Sequence, residues 1–169
     1  VAAELSRGGL IESFQKDYIL TPDAIVPNDP QFTSQGWLPQ VGVPSAWDVT
    51  TGDESIIVGV VDTGVDGTHS DLKAKIIEGW NTYDNNATYA DVMGHGTEVA
   101  GVAAAISDNA VGVTGVAWDC PIIAVRATDP AGNGTARHIA AGILWATGHG
   151  AKVINVSFAP LWSDKVVKS

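Results

Sequence analysis

Three short runs rich in β-branched residues constrain the fold of this chain more than any other feature: Ile56-Ile57-Val58-Gly59-Val60-Val61, Ile122-Ile123-Ala124-Val125 and Val153-Ile154-Asn155-Val156-Ser157. Runs that are apolar on both faces predict buried central strands rather than half-solvated ones. Between them lie longer stretches with helical periodicity. Gly96 to Ile106 places Val99, Val102, Ala103 and Ile106 on one face, and Ala136 to His149 does the same with Ile139, Ile143 and Ala146. Alternating strands and helices are the pattern of βαβ units, so the expected fold class is α/β with a parallel central sheet. In such sheets chemistry gathers just beyond the carboxyl ends of the strands. Residues 45–169 carry this pattern. Thr21 to Pro44 holds five prolines and few periodic apolar positions and reads as an extended N-terminal segment or linker, and residues 1–20 differ in character again.

With 169 residues, 45% of them apolar, the chain can bury a real core. Nine Lys and Arg against 19 Asp and Glu give a net charge of −10, which opposes nonspecific binding to nucleic acid or to an anionic membrane surface, so neither is an expected partner. No run reaches the roughly 18 apolar residues of a membrane helix. The chain opens on Val1 rather than Met, as processing or truncation would leave it, so the lack of a signal-peptide pattern says nothing of the compartment. Cys120 stands alone, which excludes an internal disulfide. Beside Pro121 and ahead of an apolar run it reads as a buried, inert thiol.

Two residues fall where an α/β sheet does chemistry. Asp62 ends the first run in Val60-Val61-Asp62-Thr63-Gly64, and His95 begins the first helical pattern in Gly94-His95-Gly96-Thr97. A carboxylate at a strand end can accept the Nδ1 proton of an imidazole, fixing the tautomer so that Nε2 faces outward as a general base. Two fields then compete at the ring: the helix N-terminus favours the neutral form, and Asp62 favours the imidazolium. Taken by itself, the pair is also compatible with a surface histidine at a helix start. An aspartic-protease dyad needs two Asp-Thr-Gly loops in an all-β fold, and only one such loop is present. A zinc motif built on Glu98 requires His next, where the chain has Val99.

Taken in order, Val60-Val61-Asp62-Thr63-Gly64-Val65-Asp66, His69-Ser70-Asp71-Leu72, His95-Gly96-Thr97-Glu98-Val99-Ala100-Gly101 and Ile154-Asn155-Val156-Ser157 occur at fitting intervals. The chain resembles the subtilisin-like serine proteases from about Asn28 to Phe158, most nearly the thermitase-like branch through Pro27-Asn28-Asp29-Pro30. The resemblance implies the N-terminal half of a three-layer fold, with Asp62 and His95 as the first two members of a triad whose chain order is Asp, His, Ser.

The resemblance implies more at three places. A structural calcium ion would be held by Asp29, Asp71, the Asn109 side chain and the carbonyls of Ile106, Val111 and Val113, an all-oxygen set that suits a hard cation. Without the resemblance, Ser107-Asp108-Asn109 is an ordinary turn. A polypeptide substrate would be added as a strand along Gly132-Asn133-Gly134 and Ser157-Phe158-Ala159, where Ala159-Pro160 departs from the usual Gly-Gly and proline has no N–H to offer. Glu98 departs from the usual His; an acid in the first helical turn suits the macrodipole. Residues 1–20 resemble the tail of a propeptide that inhibits its own enzyme intramolecularly, with a cleavage junction between Tyr18 and Asn28.

No serine stands in a Gly-Thr-Ser context, and Asn155 lies within a strand rather than where it could donate to an oxyanion. Asp164 to Ser169 reads as the first turns of a helix cut short. The expectation is therefore part of a secreted, calcium-binding serine endopeptidase precursor, inactive by itself. The alternative is a noncatalytic chain of the same fold, a pseudoenzyme or a peptide-binding module.

Overall fold

A computed structural model describes residues 25–158. The propeptide-like tail, Ala159-Pro160 and the terminal helical pattern lie outside the described residues. Four strands, β1 (Ile57–Asp62), β2 (Ile76–Asn81), β3 (Ile122–Arg126) and β4 (Ala151–Val156), form one sheet in the order β2-β3-β1-β4, with every pair parallel. Two longer helices, α3 (His95–Ala104) and α4 (Ala136–Gly148), make the crossovers.

Residue alternation along the central strands divides the core into two. Val58, Val60, Ile122 and Ala124 pack with Ala100 and Ala104 of α3, while Val61, Ile123 and Val125 pack with Ile139 and Ala146 of α4. Successive side chains of a strand point to opposite faces, so the two helices cover opposite faces of the sheet. The result is a helix–sheet–helix sandwich, the expected α/β class.

Two local expectations are corrected. Gly96, Ala100 and Ala104 are the fully buried positions of α3, with the expected Val99 and Ala103 packed beside them, whereas Val102 is exposed and Ile106 lies beyond the helix end. The small residues win because they let the helix approach the sheet closely. β4, read from the sequence as a buried central strand, pairs with β1 among the described residues, and its Val153 and Val156 are exposed there. The segment expected to be an extended linker is helical in its second half, with a 3₁₀ turn at Phe32–Ser34 followed by α1 (Trp37–Gln40) and α2 (Val43–Trp47).

Two of the prolines read there as linker signals sit inside these turns. Pro44 lies in the first turn of α2, where its missing N–H has no intrahelical role. Burial fixes the rest. Leu38, Val43 and Trp47 form a third cluster with Phe32, Trp37 and Trp118, and Trp47 Nε1 donates to Val116 O at 2.9 Å.

A side-chain clasp joins this segment to the body. Buried Gln35 donates from Nε2 to Thr114 O at 2.9 Å and accepts from Thr114 N at 2.8 Å. Gln35→Leu strands both backbone groups in a dry site, and each buried unsatisfied group costs about 1–3 kcal/mol. Urea unfolding of the intact polypeptide is expected to show a loss of at least that size; an unchanged midpoint would refute the clasp.

Candidate active site

Asp62 ends β1, and its carboxylate is fully buried. Its Oδ1 accepts from the Thr63 N–H at 2.7 Å and lies 2.7 Å from His95 Nδ1. An ionised carboxylate can only accept, so the ring presents Nδ1–H to Asp62 and leaves Nε2 free. The His95 side chain is 46% exposed. A buried anchor thus orients a base that still reaches solvent.

His95 is the first residue of α3, and the start of that helix is held by a residue the sequence patterns did not single out. Asp91 accepts from Met93 N at 3.0 Å and Gly94 N at 2.9 Å through Oδ1, and from Thr97 N at 2.8 Å and the Thr97 hydroxyl through Oδ2. Thr63 Oγ1 donates to Asp91 Oδ1 at 2.8 Å and accepts from Gly96 N at 2.9 Å. Asp91 and Thr63 therefore tie the helix start to the residue after Asp62. Gly96 completes the approach: a β-carbon there would overlap the Gly64 carbonyl oxygen and sit 3.0 Å from Asp62 Cβ. Asp91 lies three residues before the Gly94 N-cap, outside the capping positions that sequence patterns mark.

The charges follow from these contacts. The hydrogen bond to Asp62 holds the His95 imidazole above its ordinary value; burial opposes this, and the negative charges of Asp62, Glu98 and Asp91 add to it. At Asp91 burial favours the neutral acid, yet the bonds from Thr97, Met93, Gly94 and Thr63 together hold the carboxyl below its usual range.

Asp29 and Asp71, two of the residues the resemblance assigns to calcium, both bond to the loop that carries the others. Asp29 and Asp71 are both buried, on either side of the loop 106–113. Asp29 Oδ2 accepts from Asp108 N at 2.8 Å and Thr114 Oγ1 at 2.9 Å, and Asp71 accepts from Asn109 Nδ2 at 2.9 Å and Val113 N at 3.0 Å. Asn109 Oδ1 accepts from Val111 N at 2.7 Å. Among the described residues neither carboxylate has an ion-pair partner, and the carbonyls of Ile106, Val111 and Val113 accept no hydrogen bond. Also among the described residues, no three His, Cys, Asp or Glu side chains group as a metal site. The donor set is instead two carboxylates, one amide and free carbonyls. Uncompensated buried anions beside unused oxygens fit a hard cation.

The two segments proposed to hold substrate also meet. Gly134 pairs with Thr128 in an isolated antiparallel bridge, and a β-carbon on Gly134 would lie 3.3 Å from the Phe158 ring. Gly132, Asn133 and Gly134 precede α4, and Ser157 and Phe158 follow β4; Asn133, Gly134 and Ser157 are exposed. Asn155 donates from Nδ2 to Ser157 Oγ at 2.8 Å, a local bond.

The sequence model of the subtilase family matches residues 53–169. The chain belongs to the subtilase family. It is 45% identical over 132 residues to thermitase of Thermoactinomyces vulgaris, covering 78% of this chain and 47% of thermitase. It is 42% identical over 158 residues to a thermophilic serine proteinase of Bacillus sp. strain AK1, covering 93% of this chain and 39% of that protein. A solved protease from Pseudoalteromonas arctica PAMC 21717 superposes with a TM-score of 0.66 at 32% identity, covering 82% of this chain and 48% of that one. The chain thus spans less than half the length of each.

Within this subtilase chain, Glu98 lines a cleft of about 550 Å³ with Gln31, Trp37, His69, Leu72 and Val102. None of Gly132, Asn133, Gly134, Ser157 or Phe158 lines that cleft, which separates Glu98 from the proposed substrate edges.

Because the folded His95 value is raised, the His95–Asp62 bond contributes stability that is fully present below the ordinary imidazole value of 6.5 and is lost as pH rises through the folded one. NMR titration of the His95 ring in the intact polypeptide is expected to give a midpoint above 6.5 that falls in Asp62→Asn. An unmoved midpoint in that variant would remove Asp62 as the cause.

Proposed function

We propose that the polypeptide carrying this chain is a serine-type endopeptidase of the subtilisin-like kind, acting outside the cell on polypeptide substrates. The observation that carries the reading is the 2.7 Å bond between buried Asp62 Oδ1 and His95 Nδ1, with the ring reaching solvent at the carboxyl end of a parallel strand. In this reading residues 45–169 form part of the catalytic domain. Residues 1–20 are the tail of a propeptide that acts as an intramolecular inhibitor. The substrate backbone adds as a strand between Gly132-Asn133-Gly134 and Ser157-Phe158-Ala159, the last of which lies outside the described residues.

The roles follow from the geometry. His95 takes a proton at Nε2 from the attacking hydroxyl and returns it to the leaving amine. Asp62 fixes the Nδ1–H tautomer and stabilises the imidazolium that forms. The base works as the neutral ring, so activity rises with pH through the raised His95 value. These 169 residues supply the acid and the base but no serine in a nucleophile context, and by themselves are expected to hydrolyse no peptide.

In the intact polypeptide, His95→Ala is expected to lower kcat/KM for peptide hydrolysis by at least about 10⁴-fold. A fluorophosphonate probe is expected to label the intact polypeptide and to leave the 169-residue chain unlabelled. An intact polypeptide that neither hydrolyses peptides nor takes up the probe would instead be a noncatalytic binding module.

Calcium is proposed at Asp29, Asp71 and Asn109 with the carbonyls of Ile106, Val111 and Val113. Bound there, it supplies the positive charge that the two buried carboxylates lack. The same loop already grips the N-terminal segment: Gln31 N donates to Gly112 O at 3.0 Å, and Ala110 N to Asn28 Oδ1 at 2.7 Å. Chelation is therefore expected to loosen residues 28–35 first. An ion present at 100 times its Kd stabilises the fold by about 2.7 kcal/mol. Thermal unfolding with and without a chelator measures the increment, and Asp71→Asn should reduce it. An increment equal in both proteins would exclude this site.

A further inference from the structure

Met93 is the chain's only methionine and stands two residues before His95. Its backbone N–H donates to Asp91 Oδ1, the carboxylate that also fixes Gly94, so its main chain is held in place. The residue is 65% exposed, yet its sulfur rests on a neighbour. A β-carbon at Gly132 would overlap Met93 Sδ and lie 3.0 Å from Met93 Cγ. Gly132 has φ +82°, a left-handed backbone that favours glycine, and the sulfur occupies the space a side chain there would take.

Gly132 belongs to a tight turn. Its N–H donates to Asp129 O at 3.0 Å, and Asp129 Oδ1 accepts from Ala131 N and Asn133 N at 2.9 Å each. The thioether thus joins two separately anchored backbones, the turn that carries His95 and the segment Gly132–Gly134. The contact is apolar on both sides, sulfur against a glycine Cα, and faces solvent along its outer edge.

We infer that Met93 is an oxidative modification site at which a hydroperoxide converts the thioether to a sulfoxide and releases the Gly132–Gly134 segment from the His95 turn. The sulfur lone pair attacks one peroxide oxygen, an S–O bond forms, and the O–O bond breaks to leave water or an alcohol. Sulfur loses two electrons and the peroxide gains them. The added oxygen is a strong acceptor, and the N–H of Gly132 is already used by Asp129. The sulfoxide therefore turns to water and the packing against Gly132 is lost. A reductase specific for methionine sulfoxide reverses the change.

The kinetic consequence rests on the peptidase reading, because Gly132–Gly134 is a proposed substrate edge; the structural consequence does not. The test treats the intact polypeptide and its Met93→Leu variant with dilute hydrogen peroxide, comparing each protein before and after. Peptide mapping is expected to find the Met93 sulfoxide forming nearly as fast as in a short free peptide. Amide exchange at Ala131–Gly134 should accelerate several-fold in the wild type, return after reductase treatment, and stay unchanged by peroxide in Met93→Leu. Hydrolysis of long peptides should fall and recover in parallel. A Met93 that resists peroxide, a sulfoxide that leaves exchange at 131–134 unchanged, or an equal peroxide response in Met93→Leu would each overturn the inference. A polypeptide that shows the exchange response but never hydrolyses peptides would uphold it and sink the peptidase reading instead.

Discussion

The carboxyl end of β1 is organised around the carboxylate of Asp91, whose two oxygens accept from Thr63, Met93, Gly94 and Thr97 while burial works against its charge. These bonds satisfy the N–H groups at the start of α3 that the helix itself leaves unpaired. They also carry a second message. Because Thr63 both donates to Asp91 and accepts from Gly96, the first turn of the helix is placed relative to the residue that follows Asp62. The His95–Asp62 distance is thus set by backbone anchors on both sides, and neither partner depends on the other to find its place. The absent β-carbon of Gly96 permits that approach.

The same design recurs at the other end of α3. There the loop 106–113 is gripped from below by Asp71 and from the N-terminal side by Asn28, Asp29 and Gln31. Asp108, Ala110 and Gly112 all have left-handed backbones, a conformation that costs roughly 1–2 kcal/mol at each residue bearing a β-carbon. A loop so bent needs surrounding bonds that outweigh the cost, and buried carboxylates provide them. α3 is therefore clamped at both ends by acids from outside the helix, one set facing the proposed chemistry and one facing the proposed calcium.

Asp62, His95 and the parallel sheet were legible in the sequence because they depend on local signals: β-branched runs, a turn after an apolar strand, and glycines around a histidine. β2 was not legible. Ile76-Ile77-Glu78-Gly79-Trp80-Asn81 is interrupted by an acid and a glycine, has one neighbour among the described residues, and shifts register between Ile76 and Glu78. The inner face of α3 was legible only in part: Val99 and Ala103 do pack on the core, but hydropathy also points to Val102, whereas close packing selects Gly96, Ala100 and Ala104. The helical turns at 32–47 were masked by prolines that occupy tolerated positions. Asp91 escaped notice because it acts from three residues before the helix N-cap, at no motif spacing. What the sequence patterns miss is tertiary: which small residue faces a sheet, and which acid reaches back to a helix end.

Two opposing fields at His95 could not be ranked from residue order. The helix start disfavours a positive ring, and Asp62 favours it. The direct 2.7 Å bond decides the balance, since a short charge-assisted hydrogen bond acts on one atom while the dipole is spread over the first turn. The raised imidazole then sets stability and chemistry against each other. The protonated ring binds Asp62 best, so the pair stabilises the fold most at low pH, whereas proton abstraction needs the neutral ring that appears as pH rises. Anchors independent of that bond, Asp91 and Thr63 above all, hold the histidine in position through the pH range where its own bond to Asp62 weakens.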